Sequence, residues 1–150
     1  MAINVRTKGQ TGEREIAKFF NDIYAEVYEE LGMTLPEKDI AQRRQNQSAV
    51  GGSDLDNTCG YSVEVKRQEK LAINTWWDQC VVSAKEDKNL PVLMYRQNNK
   101  KWRVVLYMYN MRLFESEAVT YHRAEISLDD FRIIFKSHAL EYIRHNGSAK

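Results

Sequence analysis

The clearest pattern in the chain is the alternation of apolar and charged residues over positions 61–66, where Val63 and Val65 alternate with Glu64 and Lys66. Successive side chains of a β-strand point to opposite faces of the sheet. The pattern therefore predicts a strand whose valines pack on a core while its acid and amine project together from the other face.

Apolar residues recur every three or four positions in three other segments, which predicts α-helices. The first is capped by Thr11 and runs from Gly12 to about Leu31, the second is capped by Asn74 or Thr75 and ends near Lys88, and the third is capped by Ser127 and ends near His145. Two nearly continuous apolar stretches, at 91–96 and 102–109, predict strands that are covered on both faces. Together these elements predict an α/β fold with a central mixed β-sheet flanked by helices.

Length and charge place further bounds on the protein. The 150 residues fit a single domain, with a flexible basic arm predicted at 1–9 and a disordered tail at about 146–150. The formal net charge of +1 gives no overall attraction for nucleic acid, so binding would need basic residues gathered on one surface. No signal peptide or membrane-spanning stretch is apparent, which predicts a soluble protein with no membrane partner, located in the cytoplasm of a cell or of a virus's host.

The cysteines and histidines do not form a recognisable metal site. Cys59 and Cys80 have neither the CxxC spacing nor the histidine neighbours of a zinc site, which predicts reduced thiols. His138 lies on the apolar stripe of the last helix, so we expect it to pack in the core rather than to bind a metal.

Asp54 and Glu64 are the candidate chemical groups. Nine residues separate them, and the turn-forming run at 56–60 allows the segment that holds Asp54 to fold back beside the strand. Adjacent carboxylates suit Mg²⁺, which prefers oxygen ligands, retains some of its waters and bridges to phosphate oxygens. Lys66, on the same face as Glu64, would supply positive charge to a reacting phosphate. The alternative is that the charged residues form only a solvated strand face.

The arrangement Asp54-x9-Glu64-x-Lys66 resembles the PD-(D/E)xK nuclease superfamily, and its surroundings are similar to the Holliday-junction resolvase branch. The resemblance covers roughly the first two thirds of the chain and implies a restriction-endonuclease-like core. It rests on four elements in order: residues 8–9 running into 12–16 at a helix start, Arg43-Arg44 with Ser48 and 51–52, then Asp54, and finally the run 64–67. Ser53 stands where the family name has a proline.

The resemblance implies a role for each residue of the motif. Asp54, Glu64 and the Val65 carbonyl would hold Mg²⁺, for which Mn²⁺ would substitute, and Lys66 would stabilise the charge that develops on the phosphate. Glu13 would support the metal directly or through water, although an acid in the first turn of a helix is also favoured by the helix dipole. Gln79 would orient water or a phosphate, unless it is merely an exposed glutamine.

A second set of residues is predicted to contact DNA. Its members are basic or polar and lie in the N-terminal arm, in the edge strand and loop predicted from residue 40 to 52, and after the central strand: Arg6, Lys8, Arg43, Arg44, Ser48, Arg67 and Lys70. The arginines at 43 and 44 could instead lie on an ordinary exposed edge strand, and Lys70 could simply keep a turn soluble.

The activity implied by the resemblance is Mg²⁺-dependent cleavage of branched DNA, with paired cuts that leave 5′ phosphates. Paired cuts predict a homodimer, for which Trp76, Trp77, the N-terminal arm and the final helix are candidate surfaces. Three alternatives remain: another nuclease of the superfamily acting on linear or nicked duplex, a DNA-binding module without catalysis, and a structural protein whose acids only close a turn.

Overall fold

The chain folds as an α/β domain. The computed structural model describes residues 4–44, 52–111 and 122–150. Within these ranges, three helices and six strands follow one another in the order α1 (Val5–Glu30), β1 (Gln42–Arg43), β2 (Leu55–Asp56), β3 (Tyr61–Arg67), α2 (Ile73–Asp87), β4 (Leu90–Arg96), β5 (Arg103–Tyr107), a short 3₁₀ turn (Met108–Met111), β6 (Arg123–Ser127) and α3 (Leu128–Asn146). The predicted α/β class, with helices flanking a sheet, is confirmed.

The main sheet is mixed, as predicted. Its four strands lie in the order β3-β4-β5-β6, with β3 parallel to β4 and the other neighbours antiparallel. A parallel pair needs a crossover connection, and α2 supplies it. The strand with the acid and lysine pattern is thus at an edge of this sheet rather than at its centre. A separate two-stranded ribbon, β1 with β2, lies beside that edge.

Both faces of the sheet are covered, because its inner strands alternate between two apolar layers. Val92 and Met94 of β4 pack with α1 and α3 in the larger core, and Leu93 packs with α2 in the smaller one. Val63 and Val65 of β3 are buried in the larger core, as the alternation predicted. Glu64 is the register partner of Leu93, so Glu64 and Lys66 belong to the opposite face.

Helix α1 begins earlier than predicted, at Val5 rather than Gly12. The Asn4 side chain accepts a hydrogen bond from the Arg6 backbone N–H and caps the helix in place of Thr11. Gly12 is buried in the middle of the helix, against β3 and Trp102. The predicted flexible arm is therefore wrong for residues 5–9, and residues 1–3 lie outside the described ranges.

The C-terminal region follows the prediction more closely. Ser127 caps α3 by accepting a hydrogen bond from the Asp130 backbone N–H, which confirms the predicted cap. His138 packs against the Tyr61 ring and donates from Nε2 to the Cys59 carbonyl at 2.7 Å, so it is a core histidine as expected. The predicted disordered tail is wrong, because Ala149 is buried and its carbonyl accepts a hydrogen bond from the backbone N–H of Cys59.

Two further predictions need correction. Trp76 and Trp77, named as exposed candidates for a dimer surface, are only 5% and 7% exposed because they pack between α2 and the sheet. Strand β6 was not predicted, because its five residues are largely polar and show no apolar pattern typical of a buried strand. Within the described ranges, both cysteines are buried and unpaired, and the helices have no apolar stretch long enough to span a bilayer.

Candidate active site

Asp54 is attached to the open edge of β3 by two hydrogen bonds. Its backbone N–H donates to the Val63 carbonyl at 2.8 Å, and its Oδ2 accepts from the Val65 backbone N–H at 2.7 Å. The turn between β2 and β3 allows this return, since Asn57, Cys59 and Gly60 all have positive φ angles. The predicted fold-back of Asp54 beside the strand is confirmed.

The predicted acids and lysine share one small cavity at this edge. The cavity has a volume of about 180 Å³ and is lined by Gly9, Glu13, Asp54, Glu64, Val65, Lys66, Arg67 and Gln68. Four of the five predicted catalytic residues are therefore together. The fifth, Gln79, is exposed on α2 and is not among the lining residues. Gln68 lines the cavity instead and was not predicted.

The two central carboxyls are crowded and poorly solvated. Burial, together with the negative charge of Glu64 and more weakly of Glu13, raises the pKa of Asp54 to about 7. Burial also raises the pKa of Glu64, with a smaller contribution from Glu13. The Lys66 ammonium opposes this rise from 3.3 Å. Two buried carboxylates repel each other when both are ionised, so the folded chain favours a proton or a cation between them.

This donor set fits a hard divalent cation. Asp54 and Glu64 offer carboxylate oxygens, and Val65 lines the same space. The crowding that raises their pKa values is relieved when a cation neutralises them. In the part of the chain that the structure describes, however, no three His, Cys, Asp or Glu side chains are placed to hold a metal ion together. Glu13, the expected third acid, lines the cavity but forms an ion pair with an arginine.

The partner of Glu13 is Arg43 of β1. The Arg43 Nε donates to Glu13 Oε2 at 2.7 Å, and both side chains are largely buried. Glu13 is close to β3 because Gly12 allows α1 to approach: a Cβ at position 12 would lie 3.2 Å from Arg67 Cβ and 3.3 Å from the Trp102 ring. A larger residue at position 12 would move the helix that carries Glu13.

Arg44, predicted to contact DNA, is held by two acids. It pairs with Asp56 at 2.8 Å and with Asp87 at 3.5 Å. Gly52 leaves room for this arginine, since a Cβ there would lie 2.6 Å from an Arg44 guanidinium nitrogen. Asp87 was missed by sequence reasoning. Its signal was its position in the last turn of α2, where the helix dipole disfavours an acid and a compensating partner is expected.

Asp87 also gives a reason why position 53 is not a proline. Asp87 Oδ2 accepts from the Ser62 hydroxyl at 3.0 Å and from the Ser53 backbone N–H at 3.3 Å. A proline at position 53 has no N–H to donate. The departure from the family motif therefore gives the residue before Asp54 an additional anchor to α2.

Arg67, also predicted to contact DNA, belongs to a second internal cluster. The Glu15 carboxylate accepts from Arg67 at 3.1 Å, from Arg96 at 3.0 Å and from the Trp102 indole N–H at 3.0 Å. Arg96 also lies over the Trp102 ring at 5.7 Å. One carboxylate of α1 thus joins the ends of β3 and β4 to the start of β5. Sequence reasoning did not identify Glu15.

The other predicted DNA contacts are more dispersed. Lys8 pairs with Glu69 at 3.5 Å beside the cavity, whereas Arg6 on α1 and Lys70 after β3 are exposed. Ser48 lies outside the described residues.

Comparison with known proteins adds one strong match. The model of a family described as "Phage putative PDDEXK endonuclease" matches residues 4–142. Among solved structures, the chain is similar to Hjc, a Holliday junction resolvase from the archaeal hyperthermophile Archaeoglobus fulgidus. That similarity covers 63% of this chain and 85% of the other, with 18% sequence identity and a TM-score of 0.38. No curated protein matches the sequence. The family match includes the cavity, the whole sheet and most of α3.

Proposed function

The chain belongs to the phage PDDEXK endonuclease family, and from this premise we propose that it is a Mg²⁺-dependent nuclease that resolves four-way DNA junctions. Family membership establishes the nuclease class and the predicted superfamily, whose members are divalent-metal enzymes. The junction preference, the identity of the metal and the paired cuts are the proposal. The observation that carries it is that Asp54, Glu64 and Lys66 line one cavity at the edge of β3.

Some residues of the cavity would bind the cation, and another would stabilise the charge on the phosphate. Asp54, Glu64 and the Val65 carbonyl would hold the cation, and Glu13 would support it once separated from Arg43. The chemistry that Mg²⁺ supplies when bound, or Mn²⁺ in its place, is acidification of a water and neutralisation of phosphate charge. Lys66 would stabilise the charge on the phosphoryl oxygens, and cleavage of the bond to the 3′ oxygen would leave a 5′ phosphate.

Lys66 is better suited to stabilise charge than to act as a base. Its ammonium is 3.3 Å from Glu64 Oε1, so its positive charge is held beside the acids of the cavity, where the phosphate would react. Gln79 is proposed only as a secondary contact with DNA or water, since its exposed position on α2 would require the substrate to extend to that helix.

We propose that the active form is a homodimer, because a symmetric pair of sites can cut two strands of matching polarity. The buried tryptophans of α2 are no longer candidates for the interface. Helix α3 remains one, and it exposes Ile133 at 71%. A phage nuclease of this kind would act in the cytoplasm of the host. Light scattering of the protein with junction DNA should show two chains per junction, and a single bound chain would contradict the dimer.

The decisive experiment is cleavage of a labelled four-way junction in Mg²⁺ or EDTA, with both nicks mapped. Asp54→Asn and Glu64→Gln should abolish cleavage while junction binding is retained. Asp78→Asn is the charge-matched control, because Asp78 is exposed on α2 and is not among the residues that line the cavity. Full activity in either cavity variant would exclude the proposed metal site.

The main alternative is a nuclease of the same family that acts on linear or nicked duplex. Competition at fixed salt distinguishes the two, because a resolvase should bind the junction far more tightly than linear duplex. A DNA-binding module without catalysis would bind either DNA but cut neither in Mg²⁺.

A further inference from the structure

The cations that were expected to bind DNA are mostly neutralised inside the protein. Arg44 is paired with two acids and Arg67 with a third, and Lys8 is paired with Glu69. Ion-paired arginines have little free charge to offer a phosphate. With a net charge of only +1, the protein must present its DNA-binding charge on another local surface.

Such a surface is present on the exposed side of α1. Arg6, Arg14 and Lys18 are exposed and fall within about 120° of the helix circumference at 100° per residue. Arg6 and Lys18 are separated by about 18 Å along the helix axis, which is roughly the axial rise of five nucleotides of one strand. The three side chains therefore form a basic stripe of a length that suits several consecutive phosphates, with the charge of Lys18 at its end partly offset by Asp22.

A groove runs beside this stripe. It has a volume of about 700 Å³ and is lined by Arg14, Ala17, Lys18, Asn21, Asp22, Lys38, Asp39, Ala41, Gln42 and Arg43. Four of the lining side chains are cationic and two are acidic. Asp22 is paired with Lys18 at 2.8 Å. Arg14 and Lys38 are exposed, and among the described residues neither has an acidic partner within 4.0 Å.

The groove adjoins the candidate active site at one ion pair. Arg43 lines the groove, Glu13 lines the cavity, and the two are joined by the 2.7 Å contact. A strand whose phosphate lies in the cavity would therefore meet the groove one ion pair away.

We infer that the groove between α1 and β1 is the track for the DNA backbone, with Arg14 and Lys38 as phosphate contacts. The inference rests on the proposed function and assigns the surface that the substrate occupies beyond the cut. These contacts carry no sequence information, because they are made to phosphates rather than to base edges. Arg14 and Lys38 are binding residues and take no part in the chemical step.

The test is a double variant, Arg14→Gln with Lys38→Gln, compared with Lys85→Gln with Arg144→Gln. The control pair removes the same charge from exposed positions on α2 and α3. DNA binding is measured in EDTA, so that cleavage does not contribute. The groove variant should bind junction DNA about tenfold or more weakly at low salt, and the slope of log affinity against log salt should decrease by about two. The control variant should keep the affinity and the salt slope of the wild-type protein.

The outcomes distinguish the two proposals. Equal affinity and equal salt slope for the groove and control variants would overturn the groove assignment and leave the nuclease proposal intact. A wild-type protein that binds DNA in EDTA but makes no cut in Mg²⁺ would overturn the nuclease proposal, and the binding comparison would still decide the groove.

Discussion

The Arg43 Nε donates to Glu13 Oε2 at 2.7 Å, so the third acid that lines the cavity is held by a cation of the neighbouring ribbon. Arg43→Gln should lower the free energy of unfolding by about 1–3 kcal/mol, because it leaves a mostly buried carboxylate without its charged partner. The same change should tighten Mg²⁺ binding in the absence of DNA several-fold, since it removes the positive charge paired with Glu13 and frees that carboxylate for the cation.

Calorimetric titration of Mg²⁺ into the DNA-free protein checks this prediction. Arg132→Gln is the matched control, because Arg132 pairs with Glu26 between α3 and α1 and is not among the residues that line the cavity. Its effect on metal affinity should be negligible. Unchanged Mg²⁺ affinity in Arg43→Gln would show that the ion pair does not restrain Glu13.

Gly12→Ala should weaken the site through packing alone. The added methyl would lie 3.2 Å from Arg67 Cβ and 3.3 Å from the Trp102 ring, so α1 must move away from β3. Overpacking of this kind costs about 1–3 kcal/mol, which exceeds the roughly 1 kcal/mol that alanine gains over glycine in a helix. The free energy of unfolding measured in urea and the rate of single-turnover cleavage should both be lower than in the wild-type protein.

Gly9→Ala is the control on the same helix. A Cβ at position 9 has no neighbour within 4 Å, so only the gain in helix propensity remains. This variant should be stabilised by about 0.5–1 kcal/mol. An equal stabilisation of Gly12→Ala would contradict the close approach of α1 to β3.

Some features of the fold could be predicted from the sequence, and others could not. Alternation is a local property, so Glu64 and Lys66 could be placed on one face of a strand, and Ser127 could be identified as a cap from three neighbouring residues. The start of α1 could not be predicted, because Gly9, Thr11 and Gly12 favour a break locally, whereas packing against β3 stabilises the helix through them.

The ion pairs were hidden for a related reason. Arg67 meets Glu15, and Arg44 meets Asp87, across long separations in the chain that no local pattern records. An exposed arginine and an internally paired arginine have the same appearance in the sequence. Glu15 and Asp87, which pair with two of the predicted DNA-binding arginines, could be identified only from the fold.

Glu15→Ala should destabilise the protein by about 1–3 kcal/mol, because one donor each from β3, β4 and the residue before β5 loses the common acceptor. Glu29→Ala, an exposed position on the same helix, should change stability by less than about 0.5 kcal/mol. Chemical denaturation of the two variants makes the comparison. Equal stability of both would exclude Glu15 as a structural anchor.

The metal-free protein should become less stable as the pH rises. The pKa of Asp54 is raised from 3.8 to about 7 in the folded state, so between these values the folded chain binds more protons than the unfolded chain. The stabilisation from protonated Asp54 is complete below about pH 4 and is lost as the pH rises through about 7. Thermal melting in EDTA from pH 4 to pH 9 measures this loss.

Asp54→Asn should flatten that pH profile, because asparagine carries no titrating proton. Saturating Mg²⁺ should stabilise the wild-type protein above pH 7, where the carboxylates are free to bind it, and should have much less effect on Asp54→Asn. Identical melting profiles for the two proteins in EDTA would contradict the raised pKa.

Asp54 also protects the open edge of the main sheet. An unpaired strand edge invites another chain to add to it, and proteins usually block such edges with charges or cover. Here the Asp54 backbone N–H and carboxylate occupy the Val63 carbonyl and the Val65 N–H, where an added strand would bind. Asp54 thus blocks the addition of a strand from another chain to β3, which would lead to aggregation. Asparagine retains an acceptor for Val65, whereas alanine would leave that N–H open to a neighbouring molecule.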